Sequence, residues 1–309
     1  MNVPTCGVRN SGKLGIIGIT AGDPAGVGPE VAAAALGSGQ LDPGFEYRMI
    51  GPQCHAVPGE PTVSTAQAAW DGLEEAARLA LRGEIAAVVT GPVCKSGLYD
   101  IGFRYPGQTE FFAARCETDN FAMLLTGGTL TVVLASTHLP LIDAVRQLPR
   151  GEIVRVGGLL ADFLRLRWER PIKIAVAGLN PHAGEKGALG REEIERIEPA
   201  VRELQTRYAQ SGDVSFHGPI PPDTVFYQAA TGQWDAVLCM YHDQGLIPLK
   251  LHAFHEGVNV TIGLPIIRTS PDHGTAFTLA GKNLAHPGSM IAALRLAAEL
   301  ARKKLAPDA

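Results

Sequence analysis

Seven continuous apolar runs, separated by stretches of helical periodicity, limit the folds open to this chain more than any other feature. The runs are Leu14–Thr20, Tyr47–Ile50, Ala86–Thr90, Thr131–Ser136, Ile172–Ala177, Asp235–Met240 and Val258–Ile262. Amphipathic stretches lie at Val27–Ala35, Ala66–Leu81, Glu152–Trp168, Arg191–Ala209 and Gly288–Lys304. A strand that is apolar on both faces must be covered on both, and intervening helices supply that cover. The pattern therefore predicts an α/β fold around a largely parallel sheet. Gly127-Gly128, between Phe121–Thr126 and Leu130–Ala135, predicts a hairpin turn and one antiparallel pair. At roughly 150 residues per domain, the length favours two domains. No Pro/Ser-rich linker divides the chain, so two domains imply more than one crossing between them, with a cleft in the middle.

Composition narrows the function classes. With 46% apolar residues the chain has ample core material and needs no disulfides. A net charge of −4 argues against a general affinity for nucleic acid or anionic membrane. No apolar run approaches the roughly 20 residues of a spanning helix. Met1–Lys13 is polar and lacks an apolar stretch, so it reads as a short arm rather than a signal peptide. The cysteines at 6, 54, 94, 116 and 239 are scattered and form no CxxC pair, which suits reduced thiols in a cytoplasm. Cys239, inside the run Ala236–Met240, is expected in the core.

Three histidines occupy equivalent places. His138, His182 and His242 each follow an apolar run, just beyond the carboxyl end of an expected parallel strand. Ligands bind at that edge of open α/β sheets, because the loops there converge on a crevice. The three are too far apart in sequence for a local metal motif, so only the fold can bring them together. Three imidazoles hold a divalent cation and leave positions open for substrate oxygens. The competing reading, in which each bonds backbone at a loop start, stays open at this level.

Two further constellations stand out. Gly22–Glu30 (GDPAGVGPE) directly follows the first strand, and it is neither GxGxxG nor a P-loop. It is either a turn and helix start with Asp23 in solvent, or part of a cleft. Lys95, Gln108, Thr109, Lys250, Asn259 and Arg268 flank the histidine loops and offer the donors that phosphate and carboxylate groups require.

Together these segments resemble the 4-hydroxythreonine-4-phosphate dehydrogenase (PdxA) family of vitamin B6 biosynthesis. The resemblance runs through Gly22–Glu30, Gly91–Lys95, Gly107–Phe112, Thr137–Leu141 (THLPL), Gly178–Glu185 (GLNPHAGE), Gly218–Phe226, Tyr241–Lys250 (YHDQGLIPLK) and Gly257–Gly281. It implies a homodimer of two-domain α/β/α subunits, like isopropylmalate and isocitrate dehydrogenases, with an interdomain cleft. The implied division is 1–135 plus 268–309 for one domain and 136–267 for the other. It implies a divalent metal (zinc, cobalt or magnesium) on His138, His182 and His242, with one ligand crossing the dimer interface. Gln108, Thr109, Lys250, Asn259 and Arg268 would contact substrate, with Lys250 and Asp243 as catalytic candidates. The segment from Asp272 to Asn283 is similar to the nicotinamide-site segment of isopropylmalate and isocitrate dehydrogenases. His273, Gly274, Thr275 and Asn283 thereby become candidate contacts for NAD or NADP.

The expected reaction is oxidation of the secondary alcohol of 4-phosphohydroxy-L-threonine, followed by loss of carbon dioxide from the β-keto acid. Two departures bear on the substrate. The family usually carries histidine where this chain has Gln108, and often where it has Cys94. Glutamine donates and accepts hydrogen bonds but carries no proton or charge near neutral pH. These changes raise an alternative substrate, a four-carbon sugar acid phosphate such as D-threonate or D-erythronate 4-phosphate. Readings from other classes are a phosphate acyltransferase of related fold and a non-catalytic binding protein.

Overall fold

The computed structural model describes residues 12–305; Cys6 and all but the end of the expected polar arm Met1–Lys13 lie outside the described residues. The chain begins β1 (Gly15–Thr20), α1 (Gly28–Leu36), β2 (Phe45–Ile50), α2 (Val63–Leu81) and β3 (Ala87–Thr90). Two short helices, α3 (Lys95–Asp100) and α4 (Gln108–Arg115), lead to the hairpin of β4 (Ala122–Gly127) and β5 (Leu130–Leu134). Then come α5 (Leu141–Arg146), α6 (Arg150–Arg167), β6 (Ile172–Ala177), α7 (Glu198–Tyr208) and β7 (Val214–Ile220). The chain closes with α8 (Pro222–Ala230), β8 (Ala236–Cys239), α9 (His242–Ala253), β9 (Val258–Ile262), β10 (Arg268–Pro271) and α10 (Gly288–Leu305).

The strands form one ten-stranded sheet in the order β2-β1-β3-β10-β9-β4-β5-β8-β6-β7. Its two flanks are parallel, β2-β1-β3-β10 on one side and β5-β8-β6-β7 on the other. Between them β10/β9, β9/β4 and β4/β5 pair antiparallel. The fold is therefore α/β as expected, but the middle of the sheet is mixed. The expected hairpin is present with its turn one residue later, at Gly128-Thr129, where Gly128 takes φ +56°. The expected domain boundary at 135/136 lies just past β5, which pairs onward with β8.

Local chemistry explains where the elements depart from expectation. α2 starts at Val63 rather than Ala66 because Thr62 and Thr65 form a reciprocal capping box. The helix expected over Arg191–Ala209 is a π turn, Glu193–Ile197, followed by α7. Pro199, with no N–H to donate, sits in the first turn of α7, where none is needed. β7 was not expected because Gly218-Pro219 interrupts its pattern; it is the last strand in the order, where a proline is tolerated. α9 holds Gly245 and Pro248, which break a helical reading. Gly245 is there for space, since a Cβ would meet Leu134 Cδ2 at 2.9 Å.

Alternation along β10 prepares the site. Thr269 donates to Ala293 O of α10, so Arg268 and Ser270 point to the opposite face. Cys239 is fully buried in the core, as expected.

Candidate active site

The face that Arg268 enters holds a cavity of about 340 Å³ over the mixed middle of the sheet. Thr90 of β3, Met123 of β4, Asn259 of β9 and Arg268 and Ser270 of β10 contribute to its lining. The α4 segment adds Gln108, Thr109 and Glu110, the start of α3 adds Lys95, and loops add His138, Asp272, His273 and Gly274. Lys250, from the last turn of α9, completes the polar set. Lys95, Gln108, Thr109, Lys250, Asn259 and Arg268 thus all reach one cavity.

Arg268 is 3% exposed, and its guanidinium bonds only neutral oxygens. Its Nε and Nη2 donate to Thr90 Oγ1 at 3.2 and 2.8 Å, Nη1 to Thr261 Oγ1 at 3.2 Å, and Nη2 to Gln108 Oε1 at 3.0 Å. Burial lowers its pKa to about 10, with the Glu110 charge opposing the fall. A cation held in this way is a ready receptor for an anionic group. Lys250 is differently placed, since its Nζ donates to Asp272 Oδ2 at 2.7 Å and to Asp272 O at 3.0 Å. Thr109 Oγ1 lies 3.4 Å from Thr261 Oγ1.

Three buried polar atoms on cavity residues have no protein partner: Glu110 Oε2, Asn259 Oδ1 and His273 Nε2. Thr20 Oγ1 and Glu30 Oε1 are also unpaired elsewhere, but buried polar atoms are generally paired, and three orphans gathered on one cavity mark where a ligand's own groups belong. Glu110, Asp272, Thr90 and Thr261 were not among the expected site residues. Glu110, Thr261 and Asp272 fall inside segments that carried the family resemblance; Thr90, a single hydroxyl at the end of an apolar strand, left no sequence signal.

The histidines separate into a pair and a third. β5, β8 and β6 are mutually parallel neighbours, so His138, His242 and His182 do follow the same edge of the sheet. The His138 and His242 rings lie 5.5 Å apart between centroids. His138 Nδ1 is 3.9 Å from Glu110 Oε1, and its pKa is lowered by burial and by Lys95, against the pull of Glu110. His242 Nδ1 pairs with Asp243 Oδ1 at 2.7 Å, while the rest of Asp243 faces solvent. His182 is exposed on a turn in which residues 182–186 all take positive φ. Among the described residues no three His, Cys, Asp or Glu side chains form a set that could hold a metal.

Buried polar groups brace these loops. Glu193 Oε1 accepts from Leu179 N and Asn180 N, both at 2.7 Å, which fixes the approach to His182. Gln244 accepts from Met240 N and donates to Gly178 O, each at 2.7 Å, and so ties the His242 turn to the end of β6.

The Gly22–Glu30 loop proves to be scaffolding. Asp23 is 1% exposed rather than solvated, and its Oδ1 accepts from Ala25 N. Gly22 takes φ +72°, and a Cβ there would come within 2.1 Å of Pro92 O. Val27 N donates to Thr275 O, and Glu30 Oε2 accepts from Gly281 N and Asn283 N. Of the four cofactor candidates, His273 and Gly274 line the cavity, whereas Thr275 and Asn283 lie along this scaffold.

Known proteins share this fold and much of this sequence. A family profile described as "Pyridoxal phosphate biosynthetic protein PdxA" matches residues 33–297. A 4-hydroxythreonine-4-phosphate dehydrogenase of Zymomonas mobilis is 40% identical, over 94% of this chain and 97% of its own. The crystal structure of 4-hydroxythreonine-4-phosphate dehydrogenase from Klebsiella pneumoniae superposes with a TM-score of 0.77 at 36% identity, covering 93% of this chain and 99% of that one. Isocitrate dehydrogenase from Methylococcus capsulatus, at 17% identity and a TM-score of 0.55 over 93% of this chain and 88% of that one, shares the fold.

Proposed function

The chain belongs to the PdxA family of pyridoxal phosphate biosynthetic proteins, and on that premise we propose that it oxidises 4-phosphohydroxy-L-threonine with NAD(P)+. The observation that carries the reading is Arg268, a buried cation with no carboxylate partner in a polar cavity. It receives an anionic group of the substrate, while Asn259 Oδ1 and Glu110 Oε2 accept hydrogen bonds from its hydroxyl or amino groups. Thr109 adds a hydroxyl on the same wall. His273 and Gly274, on the cavity edge, would hold the nicotinamide, which would accept the hydride, with Thr275 and Asn283 further along the same segment. Lys250, oriented by Asp272, delivers the proton to carbon after carbon dioxide leaves the β-keto acid.

The donor pair His138 and His242, with rings 5.5 Å apart between centroids, suits a divalent cation completed by a further ligand. Zinc, cobalt or magnesium bound there supplies Lewis acidity for alcohol oxidation. His182 lies exposed on its loop, and we assign it as the ligand given across a homodimer interface. Apolar side chains at Ile247, Leu251 and Phe254 line one side of α9, Leu251 being 88% exposed, and they support such an interface. Asp243 orients His242 through its Nδ1. The division into 1–135 plus 268–309 and 136–267 belongs to the same proposal, as does a cytoplasmic setting. Among the described residues no helix is long and apolar enough to cross a membrane.

The test is NAD(P)H formation from 4-phosphohydroxy-L-threonine, with and without a chelator, beside D-threonate and D-erythronate 4-phosphate. Many-fold faster turnover of a sugar acid phosphate overturns the substrate assignment. Full activity of His182→Ala, or indifference to the chelator, overturns the metal assignment.

A further inference from the structure

We propose that Gln108 is a positioning residue: its amide holds the Arg268 guanidinium in place, and its lack of charge keeps that cation available to the ligand. The proposal rests on the reading that the cavity takes an anionic substrate. It changes the role of Gln108 from a substrate contact to a residue that acts through Arg268.

The orientation of the amide follows from its partners. The Gly91 carbonyl only accepts, so the group 3.0 Å from it is the amide nitrogen, Nε2. Oε1 then faces the other way and accepts from Arg268 Nη2 at 3.0 Å. Gln108 is the first residue of α4 and Gly91 follows β3, so the amide links two separate elements to Arg268 of β10.

Of the five guanidinium N–H donors, four are engaged, by Thr90, Thr261 and Gln108. One Nη1 N–H remains uncommitted. Every partner is a neutral oxygen, so the plane of the guanidinium is fixed without its charge being neutralised. A carboxylate at position 108 would form an ion pair in the place of the ligand. An apolar side chain of equal length would leave one Nη2 N–H without its acceptor and the guanidinium held by Thr90 and Thr261 alone. A neutral imidazole offers one N–H donor and one acceptor nitrogen, the two roles the amide fills between Gly91 O and Arg268, so Gln108 replaces the family's usual histidine without loss of this linkage.

The experiment follows the midpoint of thermal unfolding during titration with inorganic phosphate and, separately, acetate. It uses the wild type, Gln108→Glu, Gln108→Met and Gln108→His at pH 8, where an ordinary imidazole is neutral. KM and kcat for the phosphorylated substrate are measured beside it. Gln108→Glu is expected to lose the anion-dependent stabilisation and to raise KM at least about tenfold, with kcat within about threefold. Gln108→Met is expected to weaken anion binding at least about threefold, and Gln108→His to stay within about threefold of wild type. Stabilisation by phosphate assigns the substrate phosphate to Arg268, and stabilisation by acetate alone assigns its carboxylate. The proposal falls if Gln108→Glu or Gln108→Met binds anions as the wild type does, or if neither anion stabilises the wild type. Should Gln108→Glu not fold, Gln108→Met and Gln108→His decide the matter. A wild type that follows the expected anion pattern but forms no NAD(P)H refutes the proposed reaction and leaves the role of Gln108 standing.

Discussion

Replacing Arg268 with methionine is expected to separate ligand binding from stability. Burial lowers the Arg268 pKa from 12.5 to about 10, so the side chain stays cationic at pH 8. At about 1.4 kcal/mol per tenfold change in proton affinity, keeping that charge buried lowers folding stability by roughly 3 kcal/mol. Arg268→Met recovers this amount but deprives Thr90, Thr261 and Gln108 of their donor, at about 1 kcal/mol each. The two contributions nearly cancel, and the Tm of the ligand-free protein should stay within about 5 °C of wild type. Binding has no such compensation. Loss of a charge-assisted hydrogen bond of about 1.5–3 kcal/mol raises KM roughly 10- to 150-fold. KM and kcat follow from the absorbance of reduced nicotinamide, and Tm from circular dichroism. An unchanged KM would show that Arg268 does not hold the substrate. A Tm lower by more than about 10 °C would show that its main role is structural.

Glu193→Ala leaves the Leu179 and Asn180 N–H groups unpaired, and urea unfolding should show a loss of about 2–4 kcal/mol; a change below about 0.5 kcal/mol would contradict that bracing role. Gly22→Ala forces a Cβ against Pro92 O at a left-handed φ, so Tm should fall, and KM should rise because Pro92 lines the cavity. Wild-type values for both would remove the loop from the site's support. His138 has a lowered pKa, so between that value and the unfolded value near 6.5 the unfolded chain binds more protons. Metal-free protein should therefore lose stability as pH falls below about 6.5, and His138→Gln should flatten that part of the profile. An identical slope in the variant would assign the effect to other groups.

Most strands were legible in the sequence because they bury both faces and read as apolar runs, the edge strand β2 with its exposed Glu46 and Arg48 excepted. β10 was not, because Arg268–Pro271 has no apolar pattern and exists as a strand only through its pairing with β3 and β9. Among the site residues, Lys95, Gln108, Lys250, Asn259 and Arg268 were recognisable as cations and amides near glycine-bearing loops. Glu110 and Asp272 were not singled out, since an isolated carboxylate in a sequence is most often a solvated charge.

The sequence by itself determined the α/β class and the placement of three histidines after three apolar runs, because side-chain periodicity and strand ends are local properties. Only the tertiary structure decided that β10 lies between β3 and β9, which brings Arg268 to Thr90 and Gln108 from far along the chain. It also decided that His138 and His242 meet while His182 stays exposed on its own loop. Strand order depends on pairing between distant segments, and no local spacing encodes it. The approach of two side chains depends on loop conformations that buried groups such as Glu193 and Gln244 hold from outside the histidine motifs.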